Sequence, residues 1–170
     1  MNLAATGVVL DTNVVLDWLV FDDPATRALA PALHDGRLLW WLCPSIVAEI
    51  EAVLARPLAE RWEARRKQAL TRDWQRLARL HAEPDAASAS SMRCRDLDDQ
   101  KFIDLALARR ARVLLTRDRA LLALARAAVP LGLTITTPAR WTAPPARVGS
   151  QTNEDEERAA PLRGRPDTGH

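Results

Sequence analysis

Four acids carry the chemistry open to this chain. Asp11 closes the apolar run Val8-Val9-Leu10 and opens Asp11-Thr12-Asn13; Glu49 lies in Ala48-Glu49-Ile50-Glu51; Asp99 ends Asp96-Leu97-Asp98-Asp99; Asp118 follows Val113-Leu114-Leu115-Thr116-Arg117. Carboxylates gathered at one point repel each other unless a multivalent cation neutralises them or some are protonated. With oxygen donors alone, and His34, His81 and His170 placed elsewhere in the chain, the preferred cation is Mg²⁺ or Mn²⁺ rather than zinc. Such ions hold and activate water and stabilise charge on a phosphodiester undergoing in-line displacement. An Asp at a strand end is equally well a simple helix N-cap, so the reading of Asp11 depends on the other three acids reaching it.

A parallel sheet would bring them together. The first apolar run predicts a buried strand feeding a helix with Leu16, Trp18 and Leu19. A second helix is predicted over Ala25 to His34, with Pro24 at its start and Asp35-Gly36 at its end. Leu38 to Cys43 reads as a second buried strand, and Ile46, Val47, Ile50, Val53 and Leu54 as the core stripe of a helix capped by Ser45 and ended by Pro57. Leu58 to about His81 is polar, with Trp62, Leu70, Trp74, Leu77 and Leu80 spaced as in one amphipathic helix or a broken pair. Pro84 to Ser91 is a polar linker, Asp99 to Arg110 a helix, and Arg112 to Asp118 a second strand-turn-Asp unit before the helix of Leu121, Leu122 and Leu124. Leu133 to Thr136 is the last β-rich run, with Pro138 and Trp141 closing the domain.

Strands alternating with helices predict right-handed crossovers, helices on both faces and all carboxyl ends on one edge. Asp11 and Asp118 then share that edge, where ligands gather in open α/β sheets. The Asp99 helix must deliver its chain to the following strand, so its amino end lies over the same edge, where carboxylates are favoured; Glu49, in the first turns of its helix, can face the same place.

A chain of 170 residues suffices for one domain and a tail. Residues 1–142 are predicted to fold; 143–170, rich in Pro, Arg, Glu, Asp and Gly, have little to bury and are predicted to be disordered. The net charge of +2 excludes a uniformly basic coat. Cys43 and Cys94 lack metal-ligand spacing, which suits a reduced, cytoplasmic protein. No export is expected, since the amino end shows no basic segment followed by a long apolar stretch, and no apolar stretch approaches a membrane span.

Leu10-Asp11-Thr12-Asn13, Glu49 within Ala48 to Pro57, Asp99 within Cys94 to Phe102, and Thr116-Arg117-Asp118 together resemble a PIN domain over roughly Gly7 to Trp141. Within that family the chain is similar to the bacterial branch of toxin components from toxin–antitoxin systems. The resemblance implies a three-layer α/β/α fold with a central, mainly parallel sheet. It also implies an Mg²⁺- or Mn²⁺-dependent ribonuclease that hydrolyses single-stranded RNA to a 5′-phosphate and a 3′-hydroxyl. Asp11, Glu49 and Asp99 would be the main metal ligands or water-holders, with Asp118 completing the pocket, Asn13 orienting Asp11 and Thr116 orienting Asp118. A small antitoxin and a second copy of the chain are the implied protein partners. One departure stands out: relatives often carry a second acid directly after the third catalytic one, where this chain has Gln100.

Several residues have rival readings. Asp96 and Asp98 compete with Asp99, although the spacing to Phe102 favours Asp99; Glu51 competes with Glu49, and Asp104 reads as a solvated or supporting acid. Arg117 and Arg119 flank Asp118 and are candidates for RNA binding, as is a strip of Arg61, Arg65, Arg66, Lys67 and Arg72. Trp62 and Trp74 could stack on bases, but their spacing suits packing better. Trp40 and Trp41 must face opposite ways. A phosphoaspartyl phosphatase or receiver domain also begins with a strand-end Asp. The former needs a second Asp where Asn13 stands, and the latter a late strand-end Lys where Arg117-Asp118 stands. A non-catalytic PIN-like RNA-binding or protein-interaction module remains the alternative to the nuclease.

Overall fold

A computed structural model describes residues 5–71, 74–85 and 92–146. The apolar runs form the strands β1 (Thr6–Leu10), β2 (Leu38–Leu42), β3 (Ala78–Leu80), β4 (Val113–Leu115) and β5 (Thr134–Thr136). They pair in the order β3, β2, β1, β4, β5, every pair parallel. The chain runs outward from β1 through β2 to β3, then returns to lay β4 on the other side of β1. The strand order therefore reverses between β1 and β4, and in open parallel sheets that reversal opens a crevice at the carboxyl edge.

The helices are α1 (Thr12–Leu19), α2 (Leu29–His34), α3 (Pro44–Ala55), α4 (Glu60–Thr71), α5 (Gln100–Ala108), α6 (Arg119–Leu122) and α7 (Ala125–Ala128). They cover a sheet whose central strands are almost wholly apolar and buried: Val8, Val9, Leu10, Leu114 and Leu115 expose nothing. Trp40 is likewise fully buried, with Trp18 edge-on at 5.8 Å and Trp74 tilted over it at 5.6 Å. Trp41 faces the other way, under the Arg109 guanidinium at 4.2 Å. Gly7 is required there, since a Cβ would meet Trp41 Nε1 at 3.0 Å and the Ala111 backbone at 3.3 Å.

Three local expectations are corrected. The segment from 58 to 81 is neither one helix nor a simple broken pair: α4 is followed by a 3₁₀ turn, Trp74–Leu77, and by β3. Ala78-Arg79-Leu80 lacks the apolar run that marks the central strands because it is a three-residue edge strand, with Leu80 66% exposed. The predicted helix over Ala25 to His34 divides into a 3₁₀ turn, Pro24–Thr26, whose N-cap Asp23 accepts from the Ala25 N–H at 2.8 Å, and the separate α2. Ser45 does not cap α3 with its own side chain. Glu83, carried to this edge by β3, accepts from the Ser45 N–H at 2.5 Å and from its hydroxyl at 3.0 Å.

Cys43 and Cys94 are buried and unbridged, and no helix among the described residues is long and apolar enough to cross a membrane. Trp141 packs against the core, and Arg37 Nη1 donates to the Pro144 carbonyl at 2.5 Å. The expected tail from 147 onward, and most of the Pro84 to Ser91 linker, lie outside the described residues.

Candidate active site

Asp11 stands at the crevice between β1 and β4. Its backbone N–H donates to the Leu115 carbonyl at 2.9 Å, extending the β1–β4 pairing to the last residue before the turn. Its side chain caps α1 weakly, accepting from the Asn13 N–H at 3.4 Å through Oδ1, while Oδ2 accepts from the Thr116 hydroxyl at 2.7 Å. The cap and the site are thus the same carboxylate. Only 3% of Asp11 is exposed. Burial holds its carboxyl above the usual range, against the hydrogen bonds from Thr116 and Asn13, and Glu49 and Asp118 push it the same way as burial.

Thr116 is fully buried and serves two acids at once. Besides donating to Asp11, its oxygen accepts from the Asp118 N–H at 2.9 Å. Asp118 then caps α6, its Oδ1 accepting from the Ala120 and Leu121 N–H groups at 2.6 and 3.2 Å. Asn13 contributes through its backbone; its side chain is exposed.

Glu49 reaches the same edge from α3. Its Oε1 accepts from the Thr12 hydroxyl at 2.6 Å and its Oε2 pairs with the Lys101 ammonium. Glu51 points elsewhere and accepts from Gln75 at 2.9 Å. Asp99 is the residue before α5. Its carboxyl is pushed up to about 6, first by desolvation and then by the negative fields of Asp118, Asp11, Asp96 and Glu49. The four acids singled out in the sequence are therefore near enough to act on one another, although they lie on four separate stretches of chain. Asp96 and Asp98 are both exposed, and Asp96 accepts from the Asp98 N–H at 3.0 Å. Beside the acids, Arg95, Asp96, Leu97, Asp98 and Ala120 line an open cavity of about 510 Å³.

Gln100 accounts for the missing rim acid. It is 8% exposed; its oxygen accepts from the Cys94 N–H at 2.7 Å, and its nitrogen donates to the Met92 carbonyl at 3.0 Å and to Asp104 at 2.9 Å. The amide is turned into the protein and fastens residues 92–94 to the first turn of α5. Gln100→Glu would set a carboxylate oxygen against both the Met92 carbonyl and Asp104. It is expected to cost about 2 kcal/mol of stability, the penalty of stranding buried polar groups, with no gain in ion affinity. Urea denaturation checks the first point, and an unchanged midpoint would show that the amide is dispensable.

The expected basic rim is largely committed to other contacts. Arg117 Nε lies 2.6 Å from Asp17 Oδ2 and its Nη2 pairs with Asp23, clamping the turn before Asp118 to the end of α1. Arg119 is exposed. On α4, Arg65 pairs with Asp22 at 3.3 Å, Arg61 lies over Trp62, and Arg66 is buried between Glu63 and the Leu54 carbonyl, leaving Lys67 exposed; Arg72 lies outside the described residues. Trp62 packs edge-on against Phe21 at 5.3 Å, and Trp74 is 5% exposed, so both work as packing. Sequence reading missed Thr12, Lys101 and Glu83 as members of this edge. Only Lys101 had a usable signal, its position two residues after the third acid.

Hard carboxylate oxygens alone, mutually repelling, are the donor set that Mg²⁺ or Mn²⁺ takes. Among the described residues no three His, Cys, Asp or Glu side chains stand together as a ready cage. The oxygen donors of Asp11 and Asp99 have the chemistry of a hard divalent ion, and Mg²⁺ commonly keeps much of its water and takes one or two carboxylates together with substrate phosphate.

Fold and site together define a parallel α/β domain with a group of acids, one of them paired to Lys101, at its switch point. The sequence matches the family model described as the PIN domain over residues 7–120, and the chain belongs to that family. No curated protein matches it. Two solved structures share the fold. VapBC2 from Rickettsia felis, bound to a DNA fragment from its promoter, superposes with a TM-score of 0.52 at 12% identity, covering 76% of this chain and 96% of that one. FitAB bound to the IR36 DNA fragment gives 0.53 at 16% identity, covering 79% and 97%.

Proposed function

We propose that this protein is a divalent-metal-dependent endoribonuclease acting on single-stranded RNA, in which Asp11, Glu49, Asp99 and Asp118 form the acidic centre. The observation that carries the reading is the meeting of acids from separate elements at one sheet edge, where Thr116 bridges Asp11 and Asp118 and Thr12, next to Asp11, holds Glu49. A fold gains nothing in stability from burying like charges in one place, so such a cluster points to function. A bound Mg²⁺ or Mn²⁺ would polarise the phosphodiester and make water a nucleophile at neutral pH.

The chain's own residues do the positioning. Thr116 fixes Asp11 and Asp118 relative to one another, Thr12 fixes Glu49, and Arg117 holds the turn that carries Asp118. Asp11, buried and hydrogen-bonded on rigid strand ends, and Asp99, at the start of α5, are the foremost candidates to hold the ion. Arg95, in the lining of the adjacent cavity, and Arg119, exposed beside Asp118, would meet the RNA backbone in this reading. Likeness to the VapBC2 and FitAB complexes supports a further reading, that this chain is the toxin of a toxin–antitoxin pair and is neutralised by an antitoxin in the cytoplasm. Co-purification with the product of a neighbouring short reading frame checks that part.

The test is incubation of labelled single-stranded RNA with purified protein in Mn²⁺ or Mg²⁺, with and without EDTA. The expected result is cleavage that EDTA abolishes and that leaves 5′-phosphate and 3′-hydroxyl ends. Folded protein that binds RNA but never cleaves it, with or without the ions, would favour the non-catalytic RNA-binding module instead.

A further inference from the structure

The acidic centre contains a cation of its own. Lys101 follows Asp99 by two residues on α5 and closes on Glu49 Oε2 from α3, while the Thr12 hydroxyl takes Oε1 at 2.6 Å. Both Glu49 oxygens are thereby engaged. The pair is neither a loose surface contact nor a sealed one, since the Lys101 and Glu49 side chains are 21% and 32% exposed. The Lys101 ammonium also lies over the Phe102 ring, 5.4 Å from its centroid, which limits where it can go.

The choice of residue is also informative. Of the 24 basic residues only Lys67 and Lys101 are lysines; all the rest are arginines. An arginine at 101 would bring a broad, planar fork suited to gripping a carboxylate, whereas a lysine brings a compact point charge on a flexible stem. A compact charge neutralises one acid of a crowded set while leaving room for a second cation beside it.

We propose that Lys101 is the built-in counter-ion of the site, holding Glu49 out of the divalent ion's coordination set so that the ion is taken by Asp11 and Asp99 with water. Lys101 is then a positioning residue, acting through Glu49. The inference rests on the nuclease reading above and refines it: of the four acids, Glu49 is the one answered by an ammonium, whereas Asp118, like Asp11, also caps a helix.

The experiment is Mn²⁺ titration calorimetry of the full-length protein and its variants, without RNA. Lys101→Met keeps the stem length, removes the charge and frees Glu49; it is expected to tighten Mn²⁺ roughly tenfold, the effect of removing one neighbouring positive charge in a partly screened site. Lys101→Arg is expected to stay within about threefold of the wild type, because the charge on Glu49 is still answered. The deciding variant is the double Lys101→Met, Glu49→Gln. Removing both members of the pair leaves net charge unchanged, so affinity is expected to return to within about threefold of the wild type. Asp99→Asn is expected to lose at least about tenfold.

If the double variant loses Mn²⁺ as heavily as Asp99→Asn, Glu49 is a ligand and the inference is overturned while the nuclease reading stands. An unchanged affinity in Lys101→Met overturns it in the same way. If the wild type binds no Mn²⁺ at all, inference and nuclease reading fall together. Circular dichroism of each variant shows that the comparison is between folded proteins, and Lys101→Arg supplies a charge-retaining control for the position.

Discussion

Asp11→Asn is expected to abolish metal-dependent RNA cleavage, by about a thousandfold or more, and at the same time to raise the melting temperature of the metal-free protein. Both effects follow from one fact, a carboxylate 3% exposed and raised by burial. The substitution keeps the shape and leaves an amide oxygen to accept from the Thr116 hydroxyl, so the β1–β4 crevice stays assembled. It removes the charge that an ion needs, and losing the ion's stabilisation of the transition state, several kcal/mol, gives a rate loss of about that size. It also removes the cost of keeping a buried carboxylate among Glu49 and Asp118, which destabilises the metal-free fold. Cleavage assays and thermal denaturation in EDTA check the two halves separately. A variant that is inactive and also less stable would mean that Asp11 is mainly a structural cap.

The pH dependence of ion binding carries the second large effect. Asp99 holds its proton up to about pH 6 in the metal-free protein, because burial and the neighbouring acids disfavour its charge. A divalent ion must displace that proton. Below about 6, Mn²⁺ affinity is therefore expected to fall about tenfold per pH unit, with a plateau above. Asp11 is raised as well, so the fall is at least one proton steep.

Stability runs the opposite way. An unfolded Asp titrates near 4, so between about 4 and 6 the folded state binds more protons than the unfolded state. Metal-free stability accordingly falls as pH rises through that window. Saturating Mn²⁺ reverses the sign, because the ion binds the deprotonated fold. The crossing of these two stability curves is the signature to look for in thermal melts between pH 4 and 8. Parallel curves with and without Mn²⁺ would show that Asp99 does not meet the ion.

Much of this was legible in the sequence, for definite reasons. β1 and β4 are buried on both faces and announce themselves as unbroken apolar runs, each ending in a polar turn with an acid, and that pattern led to the crevice and to two of the four acids. Asp99 and Glu49 followed from the direction in which a parallel sheet forces each helix to run. β3 was hidden because an edge strand of three residues, mostly exposed, needs no apolar pattern. Its consequence, Glu83 over the first turn of α3, was hidden with it. Arg117 reads in the sequence as an RNA-binding candidate because a sequence shows charge without partners, and Asp17 and Asp23, which pair with it, lie in a different part of the chain. Gln100 looked like a lost acid, when its amide has work that a carboxylate cannot do: it must donate and accept in opposite directions.

The hydrogen bond from Thr116 to Asp11 spans 105 residues of sequence. Asp11 leaves the ribosome 105 residues ahead of the hydroxyl that sets its rotamer, and β4, the strand that completes the flank of β1, is made only just before that hydroxyl. During synthesis the growing chain can pair β1 with β2 and β2 with β3, but the other side of β1 stays bare. No growing chain that stops short of β4 can present the crevice, however well its first half has folded. The acids become one site only once β4 and the turn after it have been made, and competence arrives in a single step rather than accumulating as the chain lengthens.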